Sequence, residues 1–123
     1  MALIGVGLDA VDIGRFREVL ARRPKLSARL FTDAELAYGQ RGADPAPRLA
    51  ARFAAKEAAM KALGVGLGAF AFHDVEVVPE PSGRPSLRVT GRAAELALGK
   101  GVAGWQVSIT HTDDFAVAVV MVE

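Results

Sequence analysis

The stretch RLAARFAAKEAAMKAL, Arg48 to Leu63, constrains this chain more than any other, because it is too apolar for a surface and too charged for a core. At roughly 100° per residue, Leu49, Phe53, Met60 and Leu63 fall on one stripe, the pattern of a core-facing helix. The opposite side carries Ala51, Ala54, Ala55, Ala58, Ala59 and Ala62, so both sides can be packed. Lys56 falls near the middle of the large-residue stripe, and Glu57 and Lys61 share one edge through i,i+4 spacing. An ion buried without a partner costs several kcal/mol, so such a helix calls for compensating charge from elsewhere. A metal ion with phosphates would supply it. Two blander roles stay open on the pattern alone: a solvated Glu57–Lys61 pair, and a Lys56 ammonium that reaches water along its own stem.

The remaining residues narrow the chemistry. With 123 residues and 51% hydrophobic composition, the expected organisation is a single domain over 1–123 with one small core. There are no cysteines, which excludes disulfides, thiolate metal sites and cysteine nucleophiles, and only two histidines, which argues against a histidine-rich zinc site. No run of about 18 uncharged apolar residues is present, and MALIGVGLDAVDIG lacks a basic leader, so a cytoplasmic protein with no membrane span is expected. The net charge of +1 conceals a basic segment: Arg15, Arg17, Arg22, Arg23, Lys25 and Arg29 stand against the single acid Glu18. Its partner could be nucleic acid, a membrane surface or an acidic protein, or the segment could be a solvated helix face.

In chain order, Ala2 to Leu8 fits a buried strand ended by Asp9, and Asp12 stands as the N-cap of IGRFREVLARR, which Pro24 closes. Thr32-Asp33-Ala34-Glu35 matches a capping box opening a short helix to about Gln40. Gly42 to Pro47 reads as a loop before the central helix, and Gly64 as its left-handed C-cap. HDVEVVP and SLRVT form a hairpin about EPSGRP; Thr90 caps the helix GRAAELALG; WQVSITHT and FAVAVVMVE form a second hairpin. The order β-α-α-α-β-β-α-β-β points to an α+β fold, a largely antiparallel sheet packed against the long central helix.

Asp9 and Glu57 are two carboxylates from distant positions, the donor set of a hard cation that completes its shell with water and substrate phosphate. Magnesium is the metal this composition permits most readily. Asp9 reads equally as a turn or capping residue. Lys61 would set an ammonium beside the metal, an arrangement that suits a diphosphate, with Arg48 and Arg52 further back for additional phosphate charge. His111 closes WQVSITHT near Ser108 and Thr110, where it is either a hydrogen-bonded structural residue or a site residue, and His73 has a weaker claim.

GVGLDAVDIGRF, RFAAKEAAMKALG, the SGRP turn and VSITHT, in that order, resemble the holo-acyl-carrier-protein synthases, the small bacterial class of 4'-phosphopantetheinyl transferases, over essentially the whole chain. The resemblance implies transfer of 4'-phosphopantetheine from coenzyme A to a serine of apo-acyl carrier protein, releasing adenosine 3',5'-bisphosphate, in fatty acid or polyketide biosynthesis. It implies Asp9 and Glu57 as magnesium ligands, Lys61 at the scissile diphosphate, Arg52 and His111 along the coenzyme A site, and Arg15, Arg22 and Lys25 facing the acidic recognition helix of the carrier protein. Glu57, directly or through a metal-bound water, would take the serine proton, and Lys61 would stabilise or protonate the departing phosphate oxygen. Family members of this size form trimers with active sites between subunits.

Two other classes compete. A nucleic-acid-binding module would explain the basic segment but not Lys56, Glu57 and Lys61, and no aromatic stacking motif accompanies it. A magnesium-dependent nucleotide pyrophosphohydrolase would gather more carboxylates than Asp9 and Glu57, and would need no basic docking helix. For Lys56 a structural salt bridge and a substrate contact remain equally open.

Overall fold

One strand and one helix meet closely in this fold through the smallest side chains in both. The computed structural model describes residues 2–123. In chain order it contains β1 (Gly5–Asp12), α1 (Ile13–Arg22), α2 (Leu26–Leu30), α3 (Asp33–Gly39), α4 (Ala46–Leu63), a 3-10 turn (Phe72–Asp74), β2 (Val75–Pro79), β3 (Pro85–Val89), α5 (Gly91–Gly99), β4 (Trp105–His111) and β5 (Phe115–Val122). A Cβ on Gly5 would collide with the carbonyl of Ala62, and one on Gly7 with that of Ala58. Glycine in β1 and alanine in α4 therefore let strand and helix backbones meet directly.

Both sheets are antiparallel: β1, β5 and β4 form one in that spatial order, and β2 pairs with β3 in the other. Directly opposed residues in an antiparallel pair share a face. Gly5, Gly7, Asp9 and Val11 stand opposite Val122, Val120, Ala118 and Ala116, which are buried, so these positions face the core. One core cluster gathers Met60, Leu63, Phe70, Val75 and Val120 between α4 and the sheets; a second gathers Ile13, Phe16, Leu30, Phe31 and Leu49 among the helices. The α4 alanines are buried on both sides, as their distribution requires, and no helix is long and apolar enough to cross a membrane among the described residues.

The α+β architecture agrees with expectation, but several boundaries differ. Pairing with β5 carries β1 through Asp9 to Asp12, so Asp9 lies within the strand and does not end it. Helix α4 begins at Ala46, not Arg48, with Pro45 as N-cap and Pro47 in the first turn, where proline sacrifices no intrahelical hydrogen bond. Helix α2 was not anticipated; at five residues it is too short to display periodicity. His73 belongs to the 3-10 turn and does not open β2. Thr90 occupies the N-cap of α5 without a side-chain bond; Asp74 Oδ2 accepts from Ala93 N at 3.2 Å instead. The Asp12 cap, the Thr32–Glu35 capping box and the left-handed Gly64 C-cap all form as expected.

Candidate active site

Strand period sends the Asp9 side chain toward α4, and the close β1–α4 approach brings it to Glu57 and Lys61. Lys61 Nζ donates to the Leu8 carbonyl at 2.9 Å and lies 3.2 Å from Asp9 Oδ1. Glu57 and Lys61 thus do not form the i,i+4 pair their spacing allows; the strand claims the lysine. Glu57 is half-buried, and burial first, then the Asp9 carboxylate, push its pKa up, with Lys61 opposing. Two carboxylates held close enough to repel, with hard oxygen donors and few neighbours to compete, fit a divalent cation that keeps most of its shell for water and phosphate.

Asp9 and Glu57 open onto a cavity of about 540 Å³ between β1, α1 and α4. Its apolar wall includes Phe16, Val19, Leu30, Phe53 and Phe72, and Arg15 joins it from α1. Phe16, Phe53 and Phe72 stack in series, with centroids 5.4 and 5.7 Å apart. Farther along, Lys25 lies with Arg23, Pro24, Leu26 and Arg29 around a second hollow. Arg22 is exposed in the last turn of α1. Among the described residues Arg15, Arg22, Arg23, Lys25 and Arg29 have no carboxylate within 4 Å, whereas Arg17 is engaged by Asp44.

Arg52 and His111 are not part of the Asp9–Glu57 cavity in the single chain. Arg52 is 6% exposed, its guanidinium 3.9 Å from the Tyr38 ring centroid, with Arg48 and Arg41 at 5.1 and 5.5 Å from the same ring. Burial lowers the Arg52 pKa, and its Nε is buried without a hydrogen-bond partner among the described residues. Three guanidinium groups gather about one ring, and among the described residues none is paired with a carboxylate, so their charge is available to an anion. His111 sits exposed at the end of β4, its Nδ1 3.4 Å from the Thr112 carbonyl.

Lys56 resolves as a buried salt bridge: Nζ lies 2.8 Å from Glu35 Oε1, and both side chains are fully enclosed. Sequence inspection missed Glu35 and Tyr38 as members of this region. The capping-box position of Glu35 was visible, but its reach to α4 is a tertiary event, and Tyr38 carries no local signal.

Comparison with known proteins bears on the family and the fold. Residues 5–120 match the family described as ACPS, 4'-phosphopantetheinyl transferase superfamily. The chain is 50% identical to the holo-[acyl-carrier-protein] synthase of Frankia casuarinae over 100% of its length and 99% of that protein's. Its fold is similar to the crystal structure of the Neisseria meningitidis holo-[acyl-carrier-protein] synthase, with a TM-score of 0.90 and 27% identity over 99% of each chain. It is also similar to the Helicobacter pylori enzyme in complex with coenzyme A, with a TM-score of 0.84 and 29% identity over 96% of this chain and 99% of that one.

Proposed function

This chain belongs to the holo-[acyl-carrier-protein] synthase family of 4'-phosphopantetheinyl transferases and transfers 4'-phosphopantetheine from coenzyme A to acyl carrier protein; we propose that Asp9, Glu57 and Lys61 carry that transfer. The observation behind this assignment is the convergence of those three side chains beside a cavity that Arg15 enters from the basic helix.

Asp9 and Glu57 would hold a magnesium ion, which when bound neutralises charge on the diphosphate of coenzyme A. Glu57, beside Asp9 on the cavity wall, is the group placed to accept the serine proton. The serine oxygen forms the new bond to phosphorus, the bond from phosphorus to the adenosine 3',5'-bisphosphate oxygen breaks, and Lys61 stabilises or protonates that departing oxygen. Lys61 is free to do so because its contacts with Asp9 and Leu8 are exposed and exchangeable. Arg52, with Arg48 and Arg41 around Tyr38, is assigned to a phosphate of coenzyme A, and His111 to the same ligand's site. Arg15, Arg22 and Lys25, exposed and with no carboxylate within 4 Å among the described residues, are assigned to the acidic carrier helix.

The reading extends to assembly. Val6, Leu8, Phe115 and Met121 lie 42–60% exposed on the outer face of the β1–β5–β4 sheet, an apolar surface that a second copy would cover. Arg52 and His111 lie outside the Asp9–Glu57 cavity of one chain, which supports active sites that draw on two copies, and the family resemblance makes the assembly a homotrimer. The work is assigned to the cytoplasm and to fatty acid biosynthesis.

Incubation with coenzyme A, magnesium and an apo-carrier protein tests the proposal by mass spectrometry. The expected result is a carrier heavier by one phosphopantetheine group, with no gain in excess EDTA. A magnesium-independent gain would refute the metal role. Cleavage of coenzyme A without carrier modification would instead mark a pyrophosphohydrolase.

A further inference from the structure

The buried pair Glu35–Lys56 takes no part in the transfer described above, yet it sits where a small core tolerates charge least. Both side chains are 0% exposed. Replacing such pairs with apolar residues is often neutral or stabilising, so stability alone gives a weak reason to keep one.

Every polar atom of the pair is committed. Lys56 Nζ donates to the Phe72 carbonyl at 2.9 Å and the Val75 carbonyl at 2.7 Å, and meets Glu35 Oε1 at 2.8 Å. Glu35 Oε1 also accepts from Thr32 N, and Oε2 from Val77 N, each at 3.0 Å. One buried point therefore joins α3, α4, the 3-10 turn and β2. Tyr38 lies about one turn after Glu35 on α3, and Arg52 one turn before Lys56 on α4. The Glu35–Lys56 bridge and the Tyr38–Arg52 stack are thus neighbouring rungs of the same helix contact. In the other direction, Phe72 gives Lys56 its carbonyl while its ring walls the cavity that Glu57 enters.

We propose that Glu35 and Lys56 are positioning residues for the transfer. They index α3 against α4, which aims the Tyr38–arginine cluster, and they anchor the Phe72 turn, which sets the cavity wall beside Glu57. Three directional bonds to one ammonium admit a single rotation of α4, whereas apolar side chains can slide past one another at little cost. Neither residue touches substrate. The proposal rests on the assignment of the arginine cluster to a phosphate of coenzyme A.

The double variant Glu35→Gln/Lys56→Met removes both charges while keeping volume. It is expected to fold, with wild-type far-ultraviolet circular dichroism and an unchanged or higher Tm. The near-ultraviolet band of Tyr38, the only tyrosine, should shift. KM for coenzyme A should rise roughly tenfold or more, with KM for the carrier protein unchanged. Glu35→Gln alone, which keeps an acceptor for Thr32 N but leaves the Lys56 ammonium buried without its carboxylate, should lower the Tm while moving the Tyr38 band and KM for coenzyme A in the same direction. A folded double variant with the wild-type Tyr38 band and wild-type KM would overturn the proposal. So would failure of both variants to fold, which would make the pair purely structural. Arg52→Ala, measured alongside, tests the underlying assignment. If it leaves KM for coenzyme A unchanged, the phosphate role of the cluster fails and the functional claim for the pair fails with it. If it raises KM and the double variant does not, the positioning proposal alone fails.

Discussion

Lys61 reaches across from α4 to place its ammonium 3.2 Å from Asp9 Oδ1 and 2.9 Å from the Leu8 carbonyl, so strand and helix present their charges to one point. The bridge is exposed on the lysine side, and an exposed pair of this kind contributes at most about 1 kcal/mol. Lys61→Ala should therefore leave the melting temperature nearly unchanged while lowering kcat roughly 10²- to 10³-fold, as expected when a charge that stabilises a leaving oxygen is removed. Thermal melts and steady-state transfer assays on the same preparation check both halves. A large loss of stability, or near-normal turnover, would count against the role.

Glu57 makes stability depend on pH in a definite direction. Burial and the Asp9 carboxylate raise its pKa in the fold, so the folded state holds that proton more tightly than the unfolded chain. Its contribution is complete below the ordinary glutamate range and is lost as pH rises through the raised value. In EDTA, Glu57→Gln should be more stable than wild type at neutral pH, with the difference closing toward acid pH. Magnesium should raise the Tm of wild type but not of the variant, and magnesium-dependent transfer by the variant should be abolished. Calorimetry across pH, with and without the ion, reads all of this.

Gly7 has no room for a side chain, because a Cβ there would enter the Ala58 carbonyl of α4. Gly7→Ala should cost about 1–3 kcal/mol and push β1 away from the helix. The separation of Asp9 from Glu57 should then raise the magnesium concentration needed for half-maximal activity. Urea unfolding and a metal titration of activity report the two effects independently.

Arg15 and Arg22 face solvent without carboxylate partners among the described residues, so their fields remain available to an acidic partner. The double reversal Arg15→Glu/Arg22→Glu should raise KM for the carrier protein about tenfold or more at low ionic strength and leave KM for coenzyme A unchanged. The gap should narrow as salt screens the interaction. Equal KM values for wild type and variant at low salt would remove these residues from the docking surface.

The central helix was legible because Leu49, Phe53, Met60 and the alanines reveal packing on both sides without knowledge of what packs there. Both hairpins were legible from alternation and from turn residues such as Ser82-Gly83. Asp9 as a strand residue was not, because pairing with β5, more than a hundred residues away, sets where β1 ends. The convergence of Asp9, Glu57 and Lys61 followed from chemical type and family resemblance, while the preference of Lys61 for Asp9 over Glu57 needed three dimensions. Lys56 announced a missing partner; Glu35 already serves its own helix cap, and nothing local shows that the oxygen accepting from Thr32 N also meets an ammonium from α4. Tyr38 and its three arginines come from α3, the segment after it and α4, so no single stretch displays the cluster.

The alternation of β1 has a consequence for how this chain can change length. Gly7 and Asp9 occupy one parity of the strand, and Val6 and Leu8 the other. A single-residue insertion or deletion between Gly5 and Asp9 that preserved pairing with β5 downstream would move a bulky side chain against the α4 backbone and expose a glycine on the outer face. One that preserved the upstream register would carry Asp9 away from Glu57. Length changes here are tolerable only in pairs, and even those would have to put a residue without a side chain under Ala58. The strand thus behaves as a two-residue ruler, and genetic drift in its length is blocked by parity before chemistry is tested.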